Sequence, residues 1–289
     1  MKLTNDNYFS AEADREYMSV SQYKMWLDCP ARAKAVINRE YIQPMTIALL
    51  VGSYVDSYFE GTLDKFKEEH PEIFKKDGTL KADYVQAEQI IKRIEADELF
   101  MEYMSGKKQV IKTAELFGTK WKTKIDSYLS PENVKALVKK FPEAEKYFIE
   151  DCGAINDLKI MRSLERIMGV SFVSHWAYDI QMAIYSEIEY LANRKKNKQR
   201  LPTFLSVATK EDDTDLEIVH IPHWRHEECL AEVEKNMPRI LAYKSGELEA
   251  PRCGVCPYCR STKKLTAPID FESVGFSNKE LALMEGKIF

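Results

Sequence analysis

Asn156-Asp157-Leu158-Lys159 and the upstream run Lys122-Thr123-Lys124-Ile125-Asp126 set two short alternating segments thirty-odd residues apart. Asp157 and Lys159 are two residues apart, and in a strand that spacing places both side chains on one face. The upstream run alternates as a second strand would. Lys122, Lys124 and Asp126 share one face, and Trp121, Thr123 and Ile125 share the other. Two carboxylates and a lysine on neighbouring strands can hold a divalent cation and orient a water beside a phosphate. Lys122 and Lys124 then form a strip next to the ion, placed to meet further phosphates.

Helical and strand signals alternate around this pair. The spacing predicts a helix over 21–38, capped by Ser19 or Ser21 and carrying Tyr23, Trp26 and Leu27 on its apolar face. Further helices are expected over 45–60 and over 82–104, the latter with Ile90, Ile94 and Phe100 among its apolar positions. A hairpin reads over 114–117 and 120–129, with its turn at Gly118-Thr119. Ser130-Pro131-Glu132-Asn133 opens a helical insertion reaching about 150, and 153–160 returns as a strand. A strong helix covers 172–192, a second hairpin covers 204–209 and 216–222, and a last helix covers 226–244. On the 172–192 helix, Ala177, Ile180, Ile184, Ile188 and Leu191 make one apolar stripe, with Gln181 inside it. A core-facing amide needs hydrogen-bond partners, so Gln181 stands out. The expected class is α/β, with one domain over 1–289: a mainly helical part over 1–110, a core over 111–250 and a Cys-rich tail over 251–289.

The 289 residues, 45% hydrophobic and 30% charged, suffice for a full core in a soluble chain. No apolar run approaches eighteen residues, and Met1-Lys2-Leu3-Thr4-Asn5-Asp6 lacks an apolar signal core, so no membrane association and a cytoplasmic location are expected. The net charge of −4 argues against a protein that coats nucleic acid nonspecifically; a nuclease can still concentrate lysines in one channel.

Six cysteines without a signal segment do not read as a disulfide framework. Cys253-Gly254-Val255-Cys256-Pro257-Tyr258-Cys259 packs three of them into seven residues, which points to a metal or cluster. Cys152 and Cys229 read as plain buried residues. His220, His223 and His226 recur every third residue, a period that shares no strand face, so they read as structural or surface groups. The basic run 193–200 reads as a solvated loop.

The order Asp126, Asp157-Leu158-Lys159, then Gln181-Met182-Ala183-Ile184-Tyr185 resembles the PD-(D/E)xK nuclease superfamily, in particular its RecB-type and RecE-like phage and prophage exonucleases, relatives of lambda exonuclease. Gly52-Ser53-Tyr54-Val55-Asp56 stands where RecB-type enzymes carry a Gly…His element, so Asp56 is either a metal-binding substitute for that histidine or a helix-surface residue. The resemblance covers roughly residues 17 to 265. It implies a restriction-endonuclease-like core: a central mixed sheet flanked by helices, with N-terminal helical additions. It implies Asp126 and Asp157 as metal ligands, with Asp56 and Glu115 as further candidates. Lys159 is then placed at the attacking water or the scissile phosphate, Gln181 at the active site, and Lys122, Lys124 and Tyr185 at the DNA. Magnesium or manganese is the implied cofactor. Linear duplex DNA is the implied substrate, with a single-strand annealing protein as partner and a homo-oligomer as assembly. Some RecB-type relatives hold a 4Fe-4S cluster on one early and three late cysteines, which implies Cys29 with Cys253, Cys256 and Cys259; zinc accepts the same four sulfurs. Two other readings stay open: an iron–sulfur nuclease acting on single-stranded ends, and a DNA-binding protein that kept the fold and lost catalysis.

Overall fold

A computed structural model of the chain describes residues 1–193 and 199–284. In chain order the elements are α1 (Ala11–Glu16), α2 (Val20–Asp28), α3 (Pro30–Ile37), α4 (Ile47–Glu60), α5 (Leu63–Glu69), α6 (Ala82–Glu95) and α7 (Glu98–Tyr103), then β1 (Val110–Leu116), β2 (Thr119–Ile125) and β3 (Ser127–Leu129). They continue as α8 (Pro131–Lys140), β4 (Ala154–Met161), α9 (Phe172–His175), α10 (Tyr178–Asn193), β5 (Thr203–Thr209), β6 (Leu216–Ile221), α11 (His223–Ser245), α12 (Pro257–Ser261) and α13 (Asn278–Met284). The chain divides into two compact units: Met1–Gln43 with Leu116–Trp121 and Glu232–Phe289, and Pro44–Glu115 with Lys122–Ala231.

Three helices expected as continuous are broken, each for a local reason. The 21–38 helix splits at Cys29-Pro30, where Cys29 is extended (φ −155°, ψ 98°) because proline disfavours helical backbone in the residue before it. The 82–104 helix splits at Asp97, whose carboxylate accepts from the Phe100 N–H at 3.0 Å and caps α7. The 172–192 helix splits at Ala177, which lies in the left-handed region at φ 52°, so Ala177 drops out of the apolar stripe. The insertion after Ser130 forms α8, opened by a capping box between Ser130 and Asn133 and followed by a 3₁₀ turn over Pro142–Tyr147. The Cys-rich tail carries two short helices, α12 and α13.

In the second unit, β3, β4, β5 and β6 form one mixed sheet in that order, while β1 and β2 pair separately. β4 and β5 are parallel, so their connection must cross over, and α9 and α10 make that crossover. β3–β4 and β5–β6 are antiparallel. Helices cover both faces. Met182 of α10 packs with Ile155, Leu205 and Val207 on one face. Val55 of α4 and Ile91 of α6 pack with Leu158 and Ala208 on the other. Alternation along β4 therefore sends Asp157 and Lys159 toward the α10 side, with Ile155. Gly153, just before β4, is required by close approach: a Cβ there would lie 2.2 Å from the Leu129 carbonyl oxygen.

In the first unit, Met18 bridges Trp121 in parallel, and the Tyr23 and Trp121 rings lie 6.2 Å apart. Met18, Trp26, Val233 and Met237 are also buried. Among the described residues no helix is long and apolar enough to cross a membrane.

Candidate active site

The site begins where β3 stops. β3 pairs with β4 only between Ser127↔Asn156 and Leu129↔Ala154. From Asp157 onward, β4 has β5 on one side and no β3 partner on the other. The Leu158 N–H instead donates to the Asp126 carboxylate at 3.1 Å. One backbone donor that the sheet leaves over thus fixes the Asp126 carboxylate beside the Asp-x-Lys strand.

Asp157 is only 2% exposed, so the acid lies deeper than an open strand edge. The Gln181 amide on α10 donates to Asp157 Oδ1 at 2.8 Å, and the Lys159 ammonium donates to Oδ2. Lys159 also donates to the Leu158 carbonyl at 3.2 Å and stands 5.1 Å from the Tyr178 ring centre. Burial disfavours its charge, but Asp157 and Asp126 outweigh that and raise its pKa, so it is a firm cation. Tyr185, one turn after Gln181, is expected at DNA from its position in the motif; it lies inward beside Gln181 and Thr123. Burial first, then Asp157 and Asp126, raise its phenol and keep it protonated.

Helix α4 delivers two more acids. Asp56 and Glu60 are four residues apart and share a face. Burial pushes Asp56 up to about 7, with Lys159 opposing and Asp157 and Glu60 adding to the rise. Burial likewise raises Glu60, against Lys124 and Lys108. Asp126 is raised well above the ordinary carboxylate range by burial and by Asp157 and Asp56. The Gln109 amide donates to Glu60 and, at 3.4 Å, to Asp126, from a backbone at φ 53°. Lys108 donates to the Met104 carbonyl and is lowered by burial, against the pull of Asp126 and Glu60.

A recess of about 10 Å³ is lined by Asp56, Glu60, Gln109, Asp126 and Leu158. That is roughly the room one water needs. Crowded oxygen donors with raised pKa values around an ion-sized space fit a hard divalent cation, which would relieve their mutual repulsion. Lys108, Phe59 and Met104 complete the lining of the recess; Asp157 is not part of it, but lies near enough to raise both Asp56 and Asp126.

Two expected residues fall elsewhere. Glu115 is exposed on β1, and the additional acid beside Asp56 is Glu60, one helical turn on. Lys122 is 2% exposed, so it is no open phosphate contact; Lys124 remains on the acidic side, beside Asp56 and Glu60. The alternation was read correctly, but the face of β2 carrying Lys122 is itself covered. Glu60 was legible in principle from its spacing to Asp56. Lys108 and Gln109 precede a strand in irregular chain and gave no periodic signal.

In the first unit, Cys29, Cys253, Cys256 and Cys259 converge, with all four sulfurs within 4.8 Å of one another. Cys229 is buried and Cys152 half-buried, outside that group. His226 is buried against the Thr203 hydroxyl at 2.9 Å, while the His220 ring lies tilted between Phe204, at 5.3 Å, and Tyr147, at 5.1 Å. Most of the basic run 193–200, namely 194–198, lies outside the described residues.

Residues 19–262 match a family described as a PDDEXK-like domain of unknown function (DUF3799). A crystal structure of a candidate exonuclease from Eubacterium rectale is 44% identical and superposes with a TM-score of 0.82, covering 96% of this chain and 100% of that one. No curated protein matches the sequence significantly. With more than two thirds of the chain inside the family match and the α/β core in place, the chain belongs to this PDDEXK-like family of the PD-(D/E)xK nuclease superfamily.

Proposed function

We propose that the chain is a divalent-cation-dependent exodeoxyribonuclease acting on linear duplex DNA. The observation that carries the reading is the meeting of Asp126, Asp157, Lys159 and Gln181 at the open flank of β4. Likeness to a candidate exonuclease along the whole chain supports it. Asp56, Asp126 and Asp157 are the residues that would hold magnesium or manganese. When bound, the cation supplies Lewis acidity toward a phosphate oxygen and acidifies a water.

The other residues have roles that follow from their positions. Gln181 fixes the rotamer of Asp157 through Oδ1 and leaves lone pairs for the ion. Lys159 provides a fixed positive charge next to Asp157, suited to a phosphate that gains negative charge during cleavage. Lys124 is placed beside the acids to meet an adjoining phosphate. Tyr185, held neutral, is a donor beside the same cluster.

The test is hydrolysis of end-labelled linear duplex with magnesium, manganese or EDTA, by the wild type and Asp157→Asn. Release of nucleotides from the ends by the wild type alone, and only with the cation, is expected. Activity undiminished in EDTA or in Asp157→Asn overturns the proposal.

A further inference from the structure

The iron–sulfur relatives of this superfamily hold a cubane on one early and three late cysteines, and this chain gathers four cysteines in that order. The distances between its sulfurs do not suit a cubane. Cys29 Sγ lies 3.6 Å from Cys259 Sγ, Cys253 Sγ lies 3.8 Å from Cys259 Sγ, and no pair exceeds 4.8 Å. A tetrahedral zinc ion with Zn–S bonds of about 2.3 Å sets its thiolates about 3.8 Å apart. A cubane encloses four irons and four sulfides inside its thiolates and holds them on the order of 6 Å apart. The separations are also far beyond the S–S bond of about 2.05 Å in a disulfide. We infer that Cys29, Cys253, Cys256 and Cys259 bind a single tetrahedral zinc ion that fastens the α2–α3 joint to the C-terminal tail.

The surroundings are those of a built, closed site. The Cys256 N–H points at Cys253 Sγ at 3.3 Å, and the Cys259 N–H points at Cys256 Sγ at 3.4 Å. Backbone N–H groups aimed at sulfur stabilise thiolate ligands, which lack any other source of hydrogen bonds in a buried site. Gly254 makes this turn possible. Its φ is +84°, and a Cβ there would meet the Asn278 side-chain oxygen at 2.7 Å. Asn278 in turn donates from its backbone to the Cys253 carbonyl at 2.8 Å and from its amide to the Arg252 carbonyl at 2.8 Å. On the other side, Cys29 ends α2 and caps the start of α3, and the Ala31 N–H donates to the Pro251 carbonyl at 3.1 Å. Cys29, Cys256 and Cys259 are buried, and four protein ligands leave no open position, so the ion is structural rather than catalytic.

The experiment is metal and acid-labile sulfide analysis of the full chain, purified both anaerobically and in air without added metal. About one zinc per chain and no sulfide, from both preparations, is expected. Replacement by cobalt should give the thiolate-to-cobalt charge-transfer and ligand-field bands of a tetrahedral four-sulfur site, and this readout needs no variant that folds poorly. Cys253→Ser should lose the zinc and lower the melting temperature by several degrees, whereas Cys229→Ser should keep the zinc. Iron with matching sulfide in the anaerobic protein overturns the inference, and so does a folded wild type without stoichiometric metal.

Discussion

Asp56 and Asp126 share a partly dry recess near Asp157, and burial first, then repulsion from the neighbouring acids, raises both. Removing one charge should therefore help the metal-free fold while it harms chemistry. Asp56→Asn is expected to stabilise the protein in EDTA by on the order of 1 kcal/mol. Its activity with magnesium should fall about 100-fold or more, since a site charge has gone. Thermal unfolding in EDTA and in magnesium checks both halves: magnesium should raise the wild-type melting temperature much more than the mutant's. A second titration lies outside this cluster. His226 is 1% exposed, and burial, reinforced by His223, His220 and Arg200, lowers its pKa to about 3. Its folded pKa lies below the unfolded value of about 6.5, so the unfolded chain binds the extra proton. The stability that neutral His226 contributes is fully present above about pH 6.5 and is lost as the pH falls toward 3. His226→Gln, which retains a partner for Thr203, should flatten this loss, by at most about 1.4 kcal/mol per pH unit. Denaturant melts of both proteins from pH 7 to pH 4 measure the difference.

At the level of elements, β2 shows how far periodicity carries. Its alternation puts Trp121, Thr123 and Ile125 on one face, and all three are buried. Periodicity is silent on whether the opposite face is also covered, and Lys122 is buried there. Lys122→Ala should therefore lower stability, by about 1–3 kcal/mol, and leave the salt dependence of DNA binding unchanged. Lys124→Ala should do the reverse: a near-wild-type melt, with the salt slope reduced by about 1. Binding titrations at several salt concentrations, beside denaturant melts, separate the two lysines. The same limit explains the other differences. Most strands, the helices and the insertion after Ser130 were legible because each has its own period or cap, while the mixed sheet was implied only by the family resemblance. The convergence of α4 with the end of β3 was not, because it depends on where β3 stops pairing. Gln109, which joins Glu60 to Asp126 from a left-handed backbone, has no sequence signature at all. Strain of this kind persists only where neighbours over-determine it.

For the whole molecule, the open question is how a chain of net charge −4 keeps hold of a polyanion while it cuts. With no global attraction, the proposed function asks a small number of positive groups near the acids, such as Lys159, Lys124 and Lys108, to supply the binding. Each phosphate contact contributes a little less than one to the salt slope, so a single copy gripping through these residues has a slope of only about −2 to −3. Such a grip is weak at physiological salt, and processive digestion would need another device. Enclosure of the duplex by several copies is the device the resemblance to lambda exonuclease implies. It makes two linked predictions. Linear duplex should be degraded and covalently closed circles spared, because an enclosed path is entered only from an end. Digestion under way should also continue after excess unlabelled duplex and added salt are supplied together, since an enclosed strand leaves by diffusion along its axis rather than by loss of a few ion pairs. Light scattering of the same preparation should then report more than one chain per particle. Efficient cutting of closed circles by a monomer would mean that the β4 flank is reached sideways through an open cleft. The enclosure, the end requirement and any hand-over to an annealing protein would then have to be abandoned, while the chemistry assigned to Asp126, Asp157 and Lys159 would stand.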